Sequence, residues 1–147
     1  MDPEQLTKRM LKENRLCVLA TASLTGKHEA ATIEYTEDEE FNLFFETFPS
    51  YRKYPNLKQN PQVSIVITEN SEEPRTIQMD GRVFELSGKI AEEAKQRCIA
   101  KHGKGKRVYN DPEIRFFKFT LDCIKVLTHG GYPPRYKIIR NKKVEIE

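Results

Sequence analysis

Apolar side chains recur at Leu6, Met10 and Leu11, the three-to-four spacing of one helix face, so the spacing predicts a helix over residues 3–14. Asp2, Pro3 and Gln5 supply its N-cap, its first helical residue and a capping-box partner. From Leu16 the pattern changes. LCVLATAS, residues 16–23, is a short apolar run of strand formers, and Thr25-Gly26-Lys27 turns the chain. His28 to Thr36 returns as a second strand, with Ala31, Ile33 and Tyr35 alternating on one face. An acidic turn, Glu37 to Glu40, leads into a third strand, Phe41 to Thr47. A helical stretch ending at Asn60-Pro61 separates it from a fourth strand, Val63 to Thr68. The polar turn Glu69 to Pro74 leads to a fifth, Arg75 to Leu86, in which Gly81 predicts a bulge or bend. A third helix is expected over residues 91–102, with Gly103 as its C-cap. Glu113 to Leu127 is the sixth strand. Six strands with three short helices describe one small closed sheet rather than a sandwich or a βαβ layout.

The tail after Thr128, HGGYPPRYKIIRNKKVEIE, is broken by Gly130-Gly131 and Pro133-Pro134 and is expected to wrap a neighbouring subunit or fray. The 147 residues are read as a single domain, with 129–147 as that tail. No apolar run approaches the length of about 20 residues that spans a bilayer, and the charged start MDPEQLTKRMLKEN is unlike a signal peptide. A cytoplasmic protein without a membrane partner is expected. The net charge of +3 is too small to demand a nucleic-acid partner. Phe41, Phe44, Phe45, Phe48, Phe116 and Phe117 lie in strand runs that read as buried, so they offer no stacking platform for single strands.

Cys17, Cys98 and Cys123 form no C-x-x-C pair, and Cys17 and Cys123 read as buried thiols. His28, His102 and His129 have neither metal-site nor catalytic spacing. The GKGKR run at 103–107 lacks the preceding strand and terminal Ser/Thr of a P-loop.

The chemistry concentrates between Phe41 and Ile67, FNLFFETFPSYRKYPNLKQNPQVSIVI. A strand ends at Thr47 and gives way to a helix start carrying Ser50, Tyr51, Arg52 and Lys53. Hydroxyls and adjacent cations at such a junction suit a phosphate, Arg through its planar fork and Lys as a compact charge.

The order strand, Thr47, Arg52-Lys53, Asn56-Leu57, Asn60-Pro61, strand resembles the signature of the pyridoxamine 5′-phosphate oxidase-like family, the FMN-binding split barrels. RTIQMDGRVFEL, residues 75–86, resembles the family's next strand, and the similarity covers about residues 3–128. The resemblance implies a mainly β fold with flanking helices, a six-stranded split β-barrel assembled as a homodimer. It implies FMN as cofactor, with the phosphate on Thr47, Ser50, Tyr51, Arg52 and Lys53. The ring would lie near Thr76 and Gln78 on the fifth strand and near Thr32 and Ile33 on the second, the latter two through backbone. Redox chemistry on a small-molecule substrate follows. A deazaflavin-dependent reductase and a non-catalytic flavin-binding or sensing module stand as alternatives. Tyr51 replaces the family's Ser, and Ala31 stands where some relatives carry an Arg. Pro55 disfavours helical geometry at Tyr54. The C-terminal Arg-x-His of true pyridoxamine-phosphate oxidases is missing, which argues against vitamin B6 oxidation.

Overall fold

A computed structural model of the protein describes residues 2–103, 105–129, 131–140 and 143–146. Helix α1 spans Pro3–Glu13, and the Gln5 amide donates to Asp2 Oδ1 at 3.0 Å, so the N-cap holds as expected. Then follow β1 (Leu16–Ala22), β2 (His28–Glu34), β3 (Thr36–Glu37), β4 (Leu43–Thr47), α2 (Lys53–Gln59), β5 (Gln62–Thr68) and β6 (Thr76–Glu85). Helix α3 (Gly88–His102), a short 3-10 turn (Arg107–Asn110), β7 (Arg115–His129), β8 (Arg135–Arg140) and β9 (Lys143–Ile146) complete the chain.

All pairings are antiparallel, in the order β2-β1-β5-β6-β7-β4-β3. The two ends of this order, β2 and β3, are consecutive in the chain and separated only by Tyr35. The sheet must therefore curl until its edges meet, which makes a half-open barrel of the six expected strands. Tyr35 is fully buried at this seam and its hydroxyl donates to the Leu11 carbonyl at 2.7 Å. Leu6, Met10 and Leu11 of α1 join Leu19, Phe45, Ile77, Met79 and Phe119 in one continuous core. A second, smaller core lies between the outer side of β4–β7 and α3, built on Phe44, Phe116, Ala94, Cys98 and Tyr109.

The bulge expected at Gly81 is present as a register shift between Asp80 and Gly81. A Cβ there would collide with the Thr120 carbonyl and the Phe119 ring, so only glycine fits. Helix α3 begins three residues earlier than the sequence suggests, because Gly88 takes a left-handed φ of 61° that turns the chain after Ser87. It ends at Gly103, φ 111°, whose amide donates to the Ile99 carbonyl.

Two expectations need correction. The tail is not a frayed arm within the described residues. β8 pairs with β7 and β9 with β8, extending the sheet to nine strands. Also, Cys123 is only half-buried, because it lies on the outer face of β7, whereas Cys17 is buried. Among the described residues, no helix is long and apolar enough to cross a membrane.

Candidate functional site

β4 pairs with β7 down to Thr47 opposite Arg115, which fixes the point where the strand gives way to α2. By alternation Thr47 shares a face with Leu43 and Phe45 and is withdrawn from solvent, 1% exposed. Among the described residues, its Oγ1 has no hydrogen-bond partner. Buried polar groups are nearly always paired, so this hydroxyl is an exception that asks for a partner.

The chain then turns through Phe48–Tyr51, closed by the Tyr51 amide on the Phe48 carbonyl at 3.0 Å. The Phe48 and Tyr51 rings meet at 5.2 Å between centroids. Ser50 is exposed on this turn. Lys53, the first residue of α2, is 8% exposed, and its Nζ lies 4.9 Å from the centre of the Tyr51 ring. Burial lowers its pKa, while the carboxylates of Glu29 and Glu46 pull it back up. Among the described residues, no carboxylate comes within ion-pair distance of this ammonium. Arg52, by contrast, has its side chain 81% exposed, with Nε 3.7 Å from Glu29 Oε2.

Pro55 does not break α2. It is the third residue of the helix, where an amide would have no intrahelical partner, and Tyr54 remains helical. The seven-residue helix is anchored by buried Asn56, whose Nδ2 donates to Thr21 Oγ1 at 3.2 Å and to the Lys27 carbonyl at 3.3 Å. That side chain ties α2 to the β1–β2 turn. Between them lies a cleft of about 390 Å³ lined by Lys27, His28, Glu29, Arg52 and Asn56 among others.

Thr32 and Gln78 fall into one straight cross-strand row on the outer face. Thr32 pairs with Val18, Val18 with Val66, Val66 with Gln78, and Gln78 with Lys125. Val18, Val66, Gln78 and Lys125 of this row, with Ala20, Ser64 and Asp80, floor a second cleft of about 450 Å³, walled by Ile138 and Arg140 of β8, and Thr32 lies outside its lining. A third cleft, of about 570 Å³, shares His28 with the first and Ala20, Ser64 and Asp80 with the second. Thr76 is half-buried and lines none of them. The Ile33 side chain is buried in the barrel core, leaving only its backbone for any ligand.

The structure thus brings together Thr47, Tyr51, Arg52 and Lys53 at one junction and puts Thr32 and Gln78 on the adjoining face. It also reveals Glu29, which the sequence reading missed. Glu29 lies on the same face of β2 as Ala31 and Ile33 by alternation, and this was the available signal. Glu46 is a second addition. Its Oε2 is buried without a partner, and burial raises its pKa.

Residues 3–127 match the family described as pyridoxamine 5'-phosphate oxidase. No curated protein sequence matches. Among solved structures, the chain superposes on Campylobacter jejuni ChuZ with a TM-score of 0.84 at 14% identity, covering 98% of this chain and 61% of ChuZ. It thus spans about three fifths of that protein. HutZ, the heme storage protein from Vibrio cholerae, gives a TM-score of 0.70 at 18% identity, covering 82% of this chain and 91% of HutZ. PhzG from Burkholderia lata 383, in complex with tetrahydrophenazine-1-carboxylic acid, gives 0.74 at 14% identity over 99% of this chain and 92% of PhzG. At these identities the likeness establishes the split-barrel fold.

Proposed function

Because the chain belongs to the pyridoxamine 5′-phosphate oxidase family, we propose that it is an FMN-binding flavoprotein that acts as an oxidoreductase on a small molecule. The observation that carries this reading is a buried hydroxyl without a partner among the described residues, Thr47 Oγ1, six positions before a buried ammonium, Lys53, that makes no ion pair among them. Leaving a polar group such as Thr47 Oγ1 buried and unpaired costs about 1–3 kcal/mol. A phosphate oxygen accepting from Thr47 and facing Lys53 would relieve that cost and give the ammonium a close ion-pair partner. Arg52, at the rim, closes over the phosphate from the solvent side.

The flat row Thr32–Val18–Val66–Gln78 suits an aromatic ring, with apolar side chains beneath it and an amide at one end to fix its polar edge. FMN supplies the redox chemistry when bound, and the chain positions it and excludes water. Leu16 and Val18 are exposed on this strand, and covering them with a second copy is the basis for a homodimer. Pyridoxamine phosphate is expected to be a poor substrate, since no Arg-x-His anchors it.

Absorbance of the purified protein, followed by titration with FMN, riboflavin, a deazaflavin and heme, tests the reading. Heme belongs in the set because one structural relative is a heme storage protein. The expected result is a flavin spectrum, with Lys53→Ala weakening FMN far more than riboflavin. Equal losses for both flavins, or a Soret band from heme with no flavin bound, would overturn it. Sedimentation of the flavin-loaded protein as a monomer at micromolar concentration would remove the dimer.

A further inference from the structure

We propose that Glu29 is a specificity-determining residue: a resident carboxylate at the anion site that holds down the affinity for a doubly charged phosphate. The inference rests on the reading of Arg52 and Lys53 as that anion site. β2 carries Glu29 on its inward-alternating face, two residues before Ala31, and leaves the side chain only 14% exposed. Its strand partner is Thr21, the same residue that accepts from Asn56 of α2, so the backbone of β2 is tied to the helix that carries Lys53. The strand register therefore fixes the backbone from which the carboxylate reaches Arg52. Its Oε2 stands 3.7 Å from Arg52 Nε, and its charge also acts on the Lys53 ammonium.

Glu29 stands beside Arg52 and, together with Glu46, acts on Lys53, so an incoming anion meets less than the two positive charges of Arg52 and Lys53. A phosphomonoester carries close to two negative charges at pH 7, and it is repelled by Glu29 about twice as strongly as a singly charged ligand. Ala31 adds no compensating cation on that face. Ligand entry must also part Arg52 from Glu29. This pair is exposed at the arginine end and weak, so the rearrangement is feasible while the repulsion persists.

The test is a fluorescence titration of FMN and riboflavin into the full chain and into Glu29→Gln, Glu29→Ala and Lys53→Ala, with thermal unfolding as a check on folding. Glu29→Gln keeps the shape and removes the charge. The expected result is an FMN affinity about tenfold tighter in Glu29→Gln, with riboflavin unchanged, which is the scale of one screened charge near a surface site. FMN affinity that is unchanged or weaker in both Glu29 variants, while Lys53→Ala still loses FMN selectively, overturns the role of Glu29 and leaves the anion site standing. Equal losses of FMN and riboflavin in Lys53→Ala, or no flavin binding in any variant, overturn both. Glu29→Ala gives the answer independently if the glutamine variant fails to fold.

Discussion

Thr7 in α1 and Thr47 at the end of β4 are equally withdrawn from water, at 0% and 1% exposure. Thr7 Oγ1 donates to the Pro3 carbonyl at 2.8 Å, whereas Thr47 Oγ1 has no partner among the described residues. The region around Thr7 is typical of the barrel as a whole. Apolar side chains fill it and its buried hydroxyls are paired, as with the Tyr35 hydroxyl on the Leu11 carbonyl, while Arg9 Nε on the same helix as Thr7 is buried without a hydrogen bond among the described residues. The β4–α2 junction keeps an unpaired hydroxyl and an ammonium without an ion pair. The hydroxyl of one region is satisfied by folding alone, and that of the other is left for a ligand under the proposed function. Local incompleteness of this kind marks where a fold has been kept for function rather than for stability.

The largest expected effect lies on the side satisfied by folding alone. Phe119→Ala empties the centre of the barrel core and removes the ring that packs against Gly81, and it should cost about 3–5 kcal/mol in chemical denaturation. A loss below about 1 kcal/mol would mean that the core tolerates collapse far better than its packing implies. Asn56→Ala comes next. It leaves Thr21 and the Lys27 carbonyl without their shared donor, for about 1–3 kcal/mol. It should also weaken FMN binding by freeing α2. A stable variant with unchanged FMN affinity would separate α2 anchoring from the anion site.

The sharpest version of the comparison is a matched pair. Thr7→Val loses a made hydrogen bond and should cost about 1 kcal/mol, whereas Thr47→Val removes an unmade one and should leave the ligand-free protein as stable or more so. Thr47→Val should instead lower FMN affinity. Equal destabilisation by both substitutions would show that Thr47 is satisfied without a ligand. The smallest effect concerns the thiols. Burial pushes Cys17 and Cys98 up to about 12, so iodoacetamide at pH 8 should spare both in the native protein and label both in denaturant. Peptide mapping would show it, and rapid native labelling of either would contradict the packing of its core.

Much of this was legible beforehand, and for identifiable reasons. The N-cap at Asp2, the Gly81 bulge and the Gly103 cap rest on local backbone chemistry that a few residues determine. The junction at Thr47–Lys53 was legible because its residue types sit in a fixed order along one short segment. The β8–β9 hairpin was not, because the Gly and Pro pairs before it read as a break, while the pairing of Ile139 with Ile124 depends on distant β7. Glu29 was missed for a related reason. Its meaning comes from facing Arg52, 23 positions away in the chain, and strand alternation gives its face without giving its neighbour.

The single residue between β2 and β3 also shapes how the protein assembles. In most closed sheets the first and last strands must find each other across the length of the chain, with the loop-closure entropy that this entails. Here the two edges are joined from the moment they are synthesised, so the seam itself asks for no search. The distant encounters fall elsewhere, at β1 with β5 and at β4 with β7, where more than forty residues intervene. Folding kinetics should accordingly respond to substitutions at those two pairings, such as Leu19 against Ile65 and Phe45 against Phe117, more than to changes at Tyr35.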